Sequence, residues 1–265
     1  MSRPKRSSVR PQRDLDAGST AQQDVGWQLG DNNEAVGVDL WTWSLAGTGD
    51  ADADRQALAE LRGILSDDEC RRADRFKADR HRDQYIRGRG RLRQILADYM
   101  QQAPGVVVFR YGARDKPYVA APGPHFNLSH TDDFAALAVC AECEVGIDVE
   151  RIRPIERDIA ERYFSAAEVE ALGRVDDDDW FDAFYRIWTA KEAVIKALGE
   201  GLSLGLDRFS VPVGRDDPEG VRFHGDGIAA QRWALARLRP SAGIVGCVAI
   251  ERAGPILINT RAWPP

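Results

Sequence analysis

The sequence predicts a mixed α+β protein, in which short strands and longer amphipathic helices follow one another along the chain. It has 265 residues, of which 43% are hydrophobic and 29% are charged, the composition of an ordinary soluble protein. This length supports a sizeable core in one large domain or in two lobes of about 110 residues each. Strand and helix periodicities occur in both halves, so two lobes of similar element order remain open.

The chain begins with a segment that differs in composition from the rest. Residues 1–35 are first basic and then polar, without the apolar segment of a secretory signal, so we expect a disordered tail there. VGVDLWTWSL (36–45) alternates apolar and polar side chains, which predicts the first strand. Ser66 and Glu69 then form a predicted capping box, which places the start of a long helix at this point.

The remaining elements follow in order from their hydrophobic patterns. Gly88 and Gly90 favour a break in the long helix. AECE (141–144) is expected to be a connector, IERDIAERYFSAAEVEALG to be helical, and NTRAWPP to be a tail. The run DDDDW can cap the helix WFDAFYRIWTAKEAVIKALG, because acids suit a helix N-terminus. Strands are predicted at VVVFRYG, FNLSH, FAALAV, VGIDVE, GLSLGLDRFSVPV, RWALARL and GIVGCVAI.

Charge and cysteine content exclude several classes of protein. The formal net charge of −6 does not call for a nucleic-acid partner, and no apolar run approaches the roughly 18 residues of a membrane span. Cys140 and Cys143 form a single C-x-x-C, without the second pair that a structural zinc site needs. Cys140 ends a strand-like run, whereas a redox C-x-x-C usually opens a helix. We therefore expect reduced thiols in a cytoplasmic protein.

The hexapeptide VGIDVE places two carboxylates in an otherwise apolar strand. Asp148 and Glu150 are two residues apart, so both side chains project from the same face of the strand. Two buried carboxylates this close repel each other unless a cation neutralises them, and Mg²⁺ prefers such oxygen ligands. A strand end that meets solvent, with ERIRP supplying salt-bridge partners, explains the hexapeptide equally well.

Two further patterns add charge of either sign. Glu192 and Lys196 are four residues apart on a predicted helix. They can be interpreted as a third metal ligand with an ammonium for a phosphate oxygen, or as an ordinary surface ion pair. Residues 71–93 contain ten Arg and Lys residues but only three Asp residues. This basic stretch can be interpreted as a phosphate-binding face or as a solvated helix face. A phosphate ligand lying between the basic and acidic segments, with Mg²⁺ bridging them, would account for all three patterns.

The order of these motifs resembles the 4′-phosphopantetheinyl transferases of the long, single-chain type. The blocks that carry the resemblance, in chain order, are RADRFKADRHRDQYIRGRGRLRQIL, KPYVAAPGPHFNLSH (116–130), VGIDVE (145–150), WTAKEAVIK (188–196) and GLSLGLDRFSV. One such motif is moderately specific, whereas several in the same order and at matching separations are strong. The resemblance covers roughly residues 36–250 and leaves out the tail before residue 36.

The resemblance implies both a fold and a reaction. The fold would be α+β, with two similar α/β lobes related by a pseudo-twofold and coenzyme A in the cleft between them. The lobes would span residues 36–140 and 146–265, joined by a connector at 141–145. The reaction would be the Mg²⁺-dependent transfer of the 4′-phosphopantetheine arm from coenzyme A to a serine of an apo acyl or peptidyl carrier protein, with release of 3′,5′-ADP. Mn²⁺ could replace Mg²⁺.

The resemblance also implies roles for individual residues. Asp148, Glu150 and Glu192 would hold the metal on the pyrophosphate, with Glu150 the least certain of the three ligands. Glu192 would also take the serine proton, directly or through a water. Lys196 would stabilise the leaving pyrophosphate. The nucleotide part of coenzyme A would be bound by Arg80, Lys116, Ser129 and His130, with Arg72 as a weaker candidate.

Other classes of function stay open beside this interpretation. A nucleic-acid-binding module would use the basic stretch but would leave the three acids unexplained. Another Mg²⁺-dependent phosphotransferase would fit the acids, although the G-x-x-x-x-G-K-[ST] phosphate loop does not occur in the sequence. For the transferase we expect a monomer in the cytoplasm, without a nucleic-acid or membrane partner, that serves secondary metabolite biosynthesis.

Overall fold

The fold is mixed α+β, as the sequence predicts, and its helices pack with one mixed sheet and several antiparallel sheets. The computed structural model describes residues 34–112, 114–120, 122–199, 205–214, 220–224 and 233–263. The expected tail at 1–35 lies outside these ranges except for its last two residues. The elements in chain order are β1 (Val36–Ser44), α1 (Ala51–Gly63), α2 (Asp67–Ala73), α3 (Asp79–Met100), β2 (Phe109–Tyr111), β3 (Pro117–Val119), β4 (His125–Thr131), β5 (Phe134–Cys140), β6 (Val145–Arg151), α4 (Asp158–Tyr163), α5 (Ala166–Leu172), α6 (Trp180–Leu198), β7 (Phe209–Ser210), β8 (Arg222–Phe223), β9 (Ala234–Ser241), β10 (Ile244–Ile250) and β11 (Ile256–Ala262).

The first sheet joins strands from both ends of the chain. Its strand order is β11-β1-β5-β4, with β1 and β5 antiparallel and β1 and β11 parallel. Residues 259–262, expected to be part of a tail, belong to β11, and this prediction is wrong. Ile256 and Ile258 alternate along β11 and pack against a buried apolar cluster, which explains why the segment is ordered. The predicted lobes at 36–140 and 146–265 therefore share this sheet.

The second sheet carries the predicted carboxylate strand. Its order is β6-β10-β9, and α6 packs on one face of it. The face of α6 that meets the sheet is almost entirely apolar, and it forms a cluster with buried residues of α4, α5 and β10. Within this cluster the rings of Phe164, Phe184 and Trp188 stack on one another. This packing holds α6 directly against β6.

The two sheets meet where β4 runs beside β6. Alternate side chains of β4 accept hydrogen bonds from alternate backbone N–H groups of β6, so side-chain oxygens replace the carbonyls of a regular ladder. The pairs are Ile147 N–H to Asn127 Oδ1 (2.9 Å), Val149 N–H to Ser129 Oγ (3.3 Å) and Arg151 N–H to Thr131 Oγ1 (3.2 Å). This junction fixes the motif FNLSH against the motif VGIDVE.

Three helix predictions differ from the structure. The long helix expected to begin after Ser66 is divided into α2, which ends at Ala73, and α3, which begins at Asp79. The long helix α3 continues through Gly88 and Gly90 without a break, because Gly90 makes room for a neighbouring helix: a Cβ there would lie 2.8 Å from Leu61. The single helical segment predicted after β6 is divided into α4 and α5. Ser165 is the N-cap of α5, and together with Glu168 it forms a capping box that starts a new helix.

Among the described residues, no helix has the length and apolar character to cross a membrane.

Candidate functional site

The candidate site is centred on Asp148, in the middle of β6. Its side chain is only 5% exposed. Lys196 Nζ donates to Asp148 Oδ1 at 2.6 Å, and Ser129 Oγ donates to the same oxygen at 3.0 Å. Lys196 Nζ also lies 3.2 Å from Ser129 Oγ. The three residues come from β6, α6 and β4, so both sheets and the main helix contribute to the site.

A glycine in β6 allows α6 to deliver its charged residues to this strand. A Cβ on Gly146 would lie 2.0 Å from the carbonyl oxygen of Ala193, so a larger residue there would force α6 away. Glu192 and Lys196 lie four residues apart on α6, and therefore on the same side of the helix. The glycine of the VGIDVE motif is thus part of the geometry of the site.

Three carboxyl groups share this region with a single ammonium group. Burial raises the pKa of Glu150, and the nearby charge of Asp148 raises it further, while a hydrogen bond from Thr131 lowers it. Burial and Asp148 likewise raise the pKa of Glu192, and Lys196 opposes them. The protein environment therefore disfavours having all three carboxylates charged unless further positive charge is supplied.

The donor set fits a divalent cation. Asp148 Oδ2 is buried and has no hydrogen-bond partner among the described residues, since Lys196 and Ser129 both bind Oδ1. An unpartnered buried carboxylate oxygen is costly, and a hard cation satisfies it. Within the described ranges, no group of three or more His, Cys, Asp or Glu side chains is arranged to hold a metal ion. Oδ2 of Asp148 is thus the carboxylate oxygen of this region that lacks a partner, and the carboxyl groups of Glu150 and Glu192 are close enough for the charge of Asp148 to raise their pKa values.

His130 lies at the rim of this site. Its side chain is exposed, yet enough protein surrounds the ring that desolvation lowers the pKa of the imidazole. The charge of Lys196 lowers this pKa further, and Asp148 opposes it. The ring is therefore neutral at physiological pH in the absence of an anion, and a bound phosphate would favour its protonated form.

Two sequence-predicted phosphate ligands lie apart from this group and already contact acids. Lys116 Nζ donates to Glu144 Oε2 at 2.6 Å and to the carbonyl of Ala197 at 3.2 Å. Arg80 contacts both carboxylate oxygens of Asp133 at 3.1 Å. Arg80 and Asp133 line a cavity of about 510 Å³ between α1, α3 and the β4–β5 turn.

Part of the basic stretch at 71–93 serves the core and not a ligand. Arg93 is buried, and its Nε donates to Glu69 Oε2 at 2.6 Å. Arg89 donates to the other oxygen of Glu69, and Arg87 lies 3.5 Å from Asp54. These arginines are paired in the fold with acids that lie outside the basic stretch in sequence, which is a structural role that the sequence did not reveal.

Sequence reasoning missed the residues of β4 that support the carboxylates. Thr131 Oγ1 donates to Glu150 Oε2 at 3.3 Å and also accepts the N–H of Arg151. Asn127 binds the backbone of β6 in the same way. The signal was present as polar residues at every second position of HFNLSHT, which marks one polar face of a strand.

Known proteins resemble the chain over the segments that build this site. Residues 144–240 match the family described as the 4′-phosphopantetheinyl transferase superfamily. The 4′-phosphopantetheinyl transferase HetI of Nostoc sp. is 35% identical over 223 residues, which cover 82% of this chain and 89% of that relative. The 4′-phosphopantetheinyl transferase psf-1 of Bacillus pumilus is 32% identical over 170 residues (64% and 72%), and the 4′-phosphopantetheinyl transferase Sfp of Bacillus subtilis is 36% identical over 150 residues (56% and 65%).

The first of these relatives aligns with most of both chains, so the likeness is not confined to a shared motif. The family match begins just before β6 and contains Asp148, Glu192 and Lys196. The sequence motifs, the mixed α+β fold and the alignments agree, and the chain belongs to the 4′-phosphopantetheinyl transferase family, of the type that includes Sfp.

Proposed function

We propose that this chain transfers the 4′-phosphopantetheine arm of coenzyme A to a serine hydroxyl of an apo acyl or peptidyl carrier protein, with Mg²⁺ bound at the carboxylates of β6 and α6. The observation that carries the proposal is the buried, unpartnered Oδ2 of Asp148, beside two carboxyl groups whose pKa values are raised. Such a site gains most from a ligand that brings a divalent cation.

The metal would be held by Asp148, Glu192 and Glu150, with Mn²⁺ as a substitute for Mg²⁺. When bound, the metal supplies neutralisation of charge on the pyrophosphate oxygens. Glu150 would offer the metal one oxygen, because its Oε2 already accepts a hydrogen bond from Thr131. Its other oxygen, and both oxygens of Glu192, are the ones offered to the ion.

The reaction needs a proton acceptor for the serine and positive charge for the leaving group. Glu192 is the proposed acceptor, because its raised pKa brings the carboxylate nearer to the basicity that a general base requires. Lys196 is proposed to stabilise the departing 3′,5′-ADP. Its ammonium now contacts Asp148, and a metal on that carboxylate would weaken the contact and free the ammonium for phosphate.

The nucleotide end of coenzyme A is proposed to bind Ser129, His130, Lys116 and Arg80. His130 supports this best, since it lies beside Lys196 at the rim of the site. Lys116 and Arg80 each contact a carboxylate that a phosphate would have to replace. Because Arg80 is exposed, this exchange costs little there.

We also propose the architecture that the family resemblance implies. Two α/β lobes, at 36–140 and 146–265 with a connector at 141–145, would be related by a pseudo-twofold and would bind coenzyme A in the cleft between them. The contact of β4 with β6 supports such a junction, because it brings side chains from both halves to Asp148. The protein is proposed to act as a cytoplasmic monomer, with neither nucleic acid nor a membrane as a partner.

Another Mg²⁺-dependent phosphotransferase would use the same carboxylates, and only its acceptor would differ. A nucleic-acid-binding module would use the arginines of α3, but Arg87, Arg89 and Arg93 already pair with acids of the protein itself. The transferase accounts for the acids, the lysine and the family membership together.

Incubation with coenzyme A, Mg²⁺ and a panel of apo-carriers from fatty-acid, polyketide and nonribosomal-peptide systems tests the proposal. Mass spectrometry is expected to show the mass of one phosphopantetheine added to at least one carrier, with release of 3′,5′-ADP. Chelation of the metal should abolish the shift, and a carrier with its acceptor serine replaced by alanine should stay unmodified. Release of 3′,5′-ADP without modification of any carrier would contradict the proposed acceptor.

A further inference from the structure

A second lysine of α6 lies outside the site just described. Lys191 precedes Glu192 and is fully buried, with 0% of its surface exposed. Its ammonium contacts Glu168 Oε2 at 2.8 Å, the carbonyl of Leu206 at 2.7 Å and the carbonyl of Phe209. An ammonium has three N–H donors, and each of them has an acceptor here. Lys191 therefore has no donor left for a substrate.

Both carboxylate oxygens of its partner Glu168 also accept hydrogen bonds. Oε2 accepts the backbone N–H of Ser165 at 2.8 Å and the Ser165 hydroxyl at 3.0 Å, and Oε1 accepts the N–H of Val211 at 2.8 Å. The ion pair thus ties three parts of the chain together, namely the start of α5, the middle of α6 and the segment 206–211. Nothing in this network faces the carboxylates of β6.

A buried ion pair of this kind is a weak source of net stability, because desolvation of the two charges offsets most of their attraction. Its effect on geometry is larger. Successive residues of an α-helix are rotated by about 100°, so a bond that fixes Lys191 also fixes the direction of Glu192 and of Lys196 five residues further on. A rotation of α6 by a fraction of a turn would swing both side chains away from Asp148.

We propose that Lys191 is a positioning residue, whose buried ion pair with Glu168 sets the rotation of α6 and so aims Glu192 and Lys196 at β6. The inference rests on the proposed function, because it assigns Glu192 and Lys196 to the transfer reaction. Lys191 itself touches neither the carrier serine nor coenzyme A.

Three variants test this role: Lys191→Met, Glu168→Gln, and the double variant that removes both charges. Each single variant leaves one buried charge unpaired and should lower Tm, whereas the double variant should recover most of that loss. The double variant should nevertheless show kcat reduced about 10- to 100-fold, the effect of small misplacements in an active site, with KM for coenzyme A within about threefold of wild type. Glu170→Gln is the matched control, since Glu170 lies on the same helix in an exposed pair with Arg174.

The outcomes separate the alternatives. A double variant with recovered Tm and wild-type kcat would show that the pair serves stability alone and would overturn the inference. A raised KM with unchanged kcat would mean that Lys191 binds coenzyme A directly, which also contradicts it. If Lys191→Met is insoluble, Glu168→Gln carries the kinetic part of the test, because it keeps the size of the side chain and one acceptor oxygen while removing the charge; kcat of the folded variant should fall with KM for coenzyme A little changed, and a wild-type kcat would overturn the inference. Wild-type protein without transfer activity would refute the proposed function instead.

Discussion

Two clusters of charge in this molecule contain similar groups and differ in how well those groups are matched. In the first, Glu69 lies between Arg89 and Arg93 and also accepts the N–H of Ser66 at 2.9 Å. Burial alone would raise the pKa of Glu69, but the hydrogen bond from Arg93 and the charge of Arg89 hold this pKa below its usual value. One carboxylate thus meets two guanidinium groups, and both of its oxygens are bonded.

The second cluster, around Asp148, has the opposite balance. Three carboxyl groups lie near the ammonium of Lys196, and the charge of Arg153 also lowers the pKa of Glu150, yet burial together with Asp148 raises the pKa of Glu150 and of Glu192. Asp148 Oδ2 has no partner in the part of the chain described by the structure. The direction of the pKa shifts therefore distinguishes a closed structural cluster from one that is completed by a cationic ligand.

The largest effect is expected from a change of Asp148, the central carboxylate of the second cluster, which we call the unmatched cluster because its carboxyl groups lack full positive counter-charge. Asp148→Asn keeps the size of the side chain and removes the charge that the metal needs. We expect the rate of carrier modification to fall at least 100-fold, because even the loss of an outer partner of a metal ligand costs about 10- to 100-fold. The measurement is the rate of holo-carrier formation at saturating Mg²⁺ and coenzyme A. Activity within a few-fold of wild type would exclude Asp148 as a metal ligand.

A change in the first cluster, which we call the matched cluster because both oxygens of Glu69 are bonded to arginines, should lower the stability of the fold without changing the rate of carrier modification. Glu69→Gln leaves two guanidinium groups without their counter-charge, one of them fully buried, and should lower the free energy of unfolding by about 3–5 kcal/mol. Urea denaturation measures this loss, while kcat of the folded variant should remain unchanged. Because the folded pKa of Glu69 is lowered, the stability it contributes is present above the unfolded value of 4.5 and fades as pH falls through the folded pKa.

A matched control for this change is Asp74→Asn, which breaks the exposed Arg62–Asp74 pair near the same helices. That variant should change the free energy of unfolding far less than Glu69→Gln does, because solvent screens an exposed pair. Equal losses in both variants would show that burial of the Glu69 cluster has no special weight.

The two clusters also show how far the sequence alone could lead. The spacing of Asp148 and Glu150, and of Glu192 and Lys196, predicted which side chains share a face, because strand and helix periods are local properties. The role of Glu69 could not be predicted from spacing, since it lies before the basic stretch and meets Arg93 only after α2 folds onto α3. The net charge of a sequence segment does not show which acids from other segments lie beside it in the folded protein.

The fold itself was predicted to a similar extent. Strands with a clear alternation, such as β1 and β6, were placed from their own residues. The sequence predicts a tail from residue 259, although residues 259–262 belong to β11, because the pairing of β11 with β1 joins residues more than 200 positions apart in the chain and Asn259, Thr260 and Arg261 are polar. The helical segment after β6 is divided into α4 and α5 at the capping box formed by Ser165 and Glu168. The same kind of capping box marks the start of α2, but inside a continuous helical pattern it does not stand out in the sequence.

The pH dependence of Tm, measured without metal, tests how the unmatched cluster affects the stability of the fold. The folded pKa of Glu192 is raised, so its charged form destabilises the fold above the unfolded value of 4.5. Glu192→Gln should therefore raise Tm at neutral pH in the absence of metal, and the gain should vanish as pH falls below that value. This is the reverse of the sign expected for Glu69→Gln. Addition of Mg²⁺ should raise Tm of the wild type and leave the variant nearly unchanged; a variant that Mg²⁺ stabilises equally would contradict a metal-binding role for Glu192.

The smallest effect is expected at Arg80, which belongs to the basic stretch but not to its buried part. Its side chain is 67% exposed and contacts Asp133, so Arg80→Ala should change the free energy of unfolding by less than about 1 kcal/mol. If the guanidinium exchanges Asp133 for a phosphate of coenzyme A, KM for coenzyme A should rise about fivefold at low salt, with kcat unchanged, and the difference should shrink at high salt as the charges are screened. Arg55→Ala is the control, since Arg55 lines the same cavity but is paired with Asp52 on α1. A rise in KM that is equal in both variants, or absent in Arg80→Ala, would remove Arg80 from the nucleotide site and would leave the arginines of α3 with a structural role.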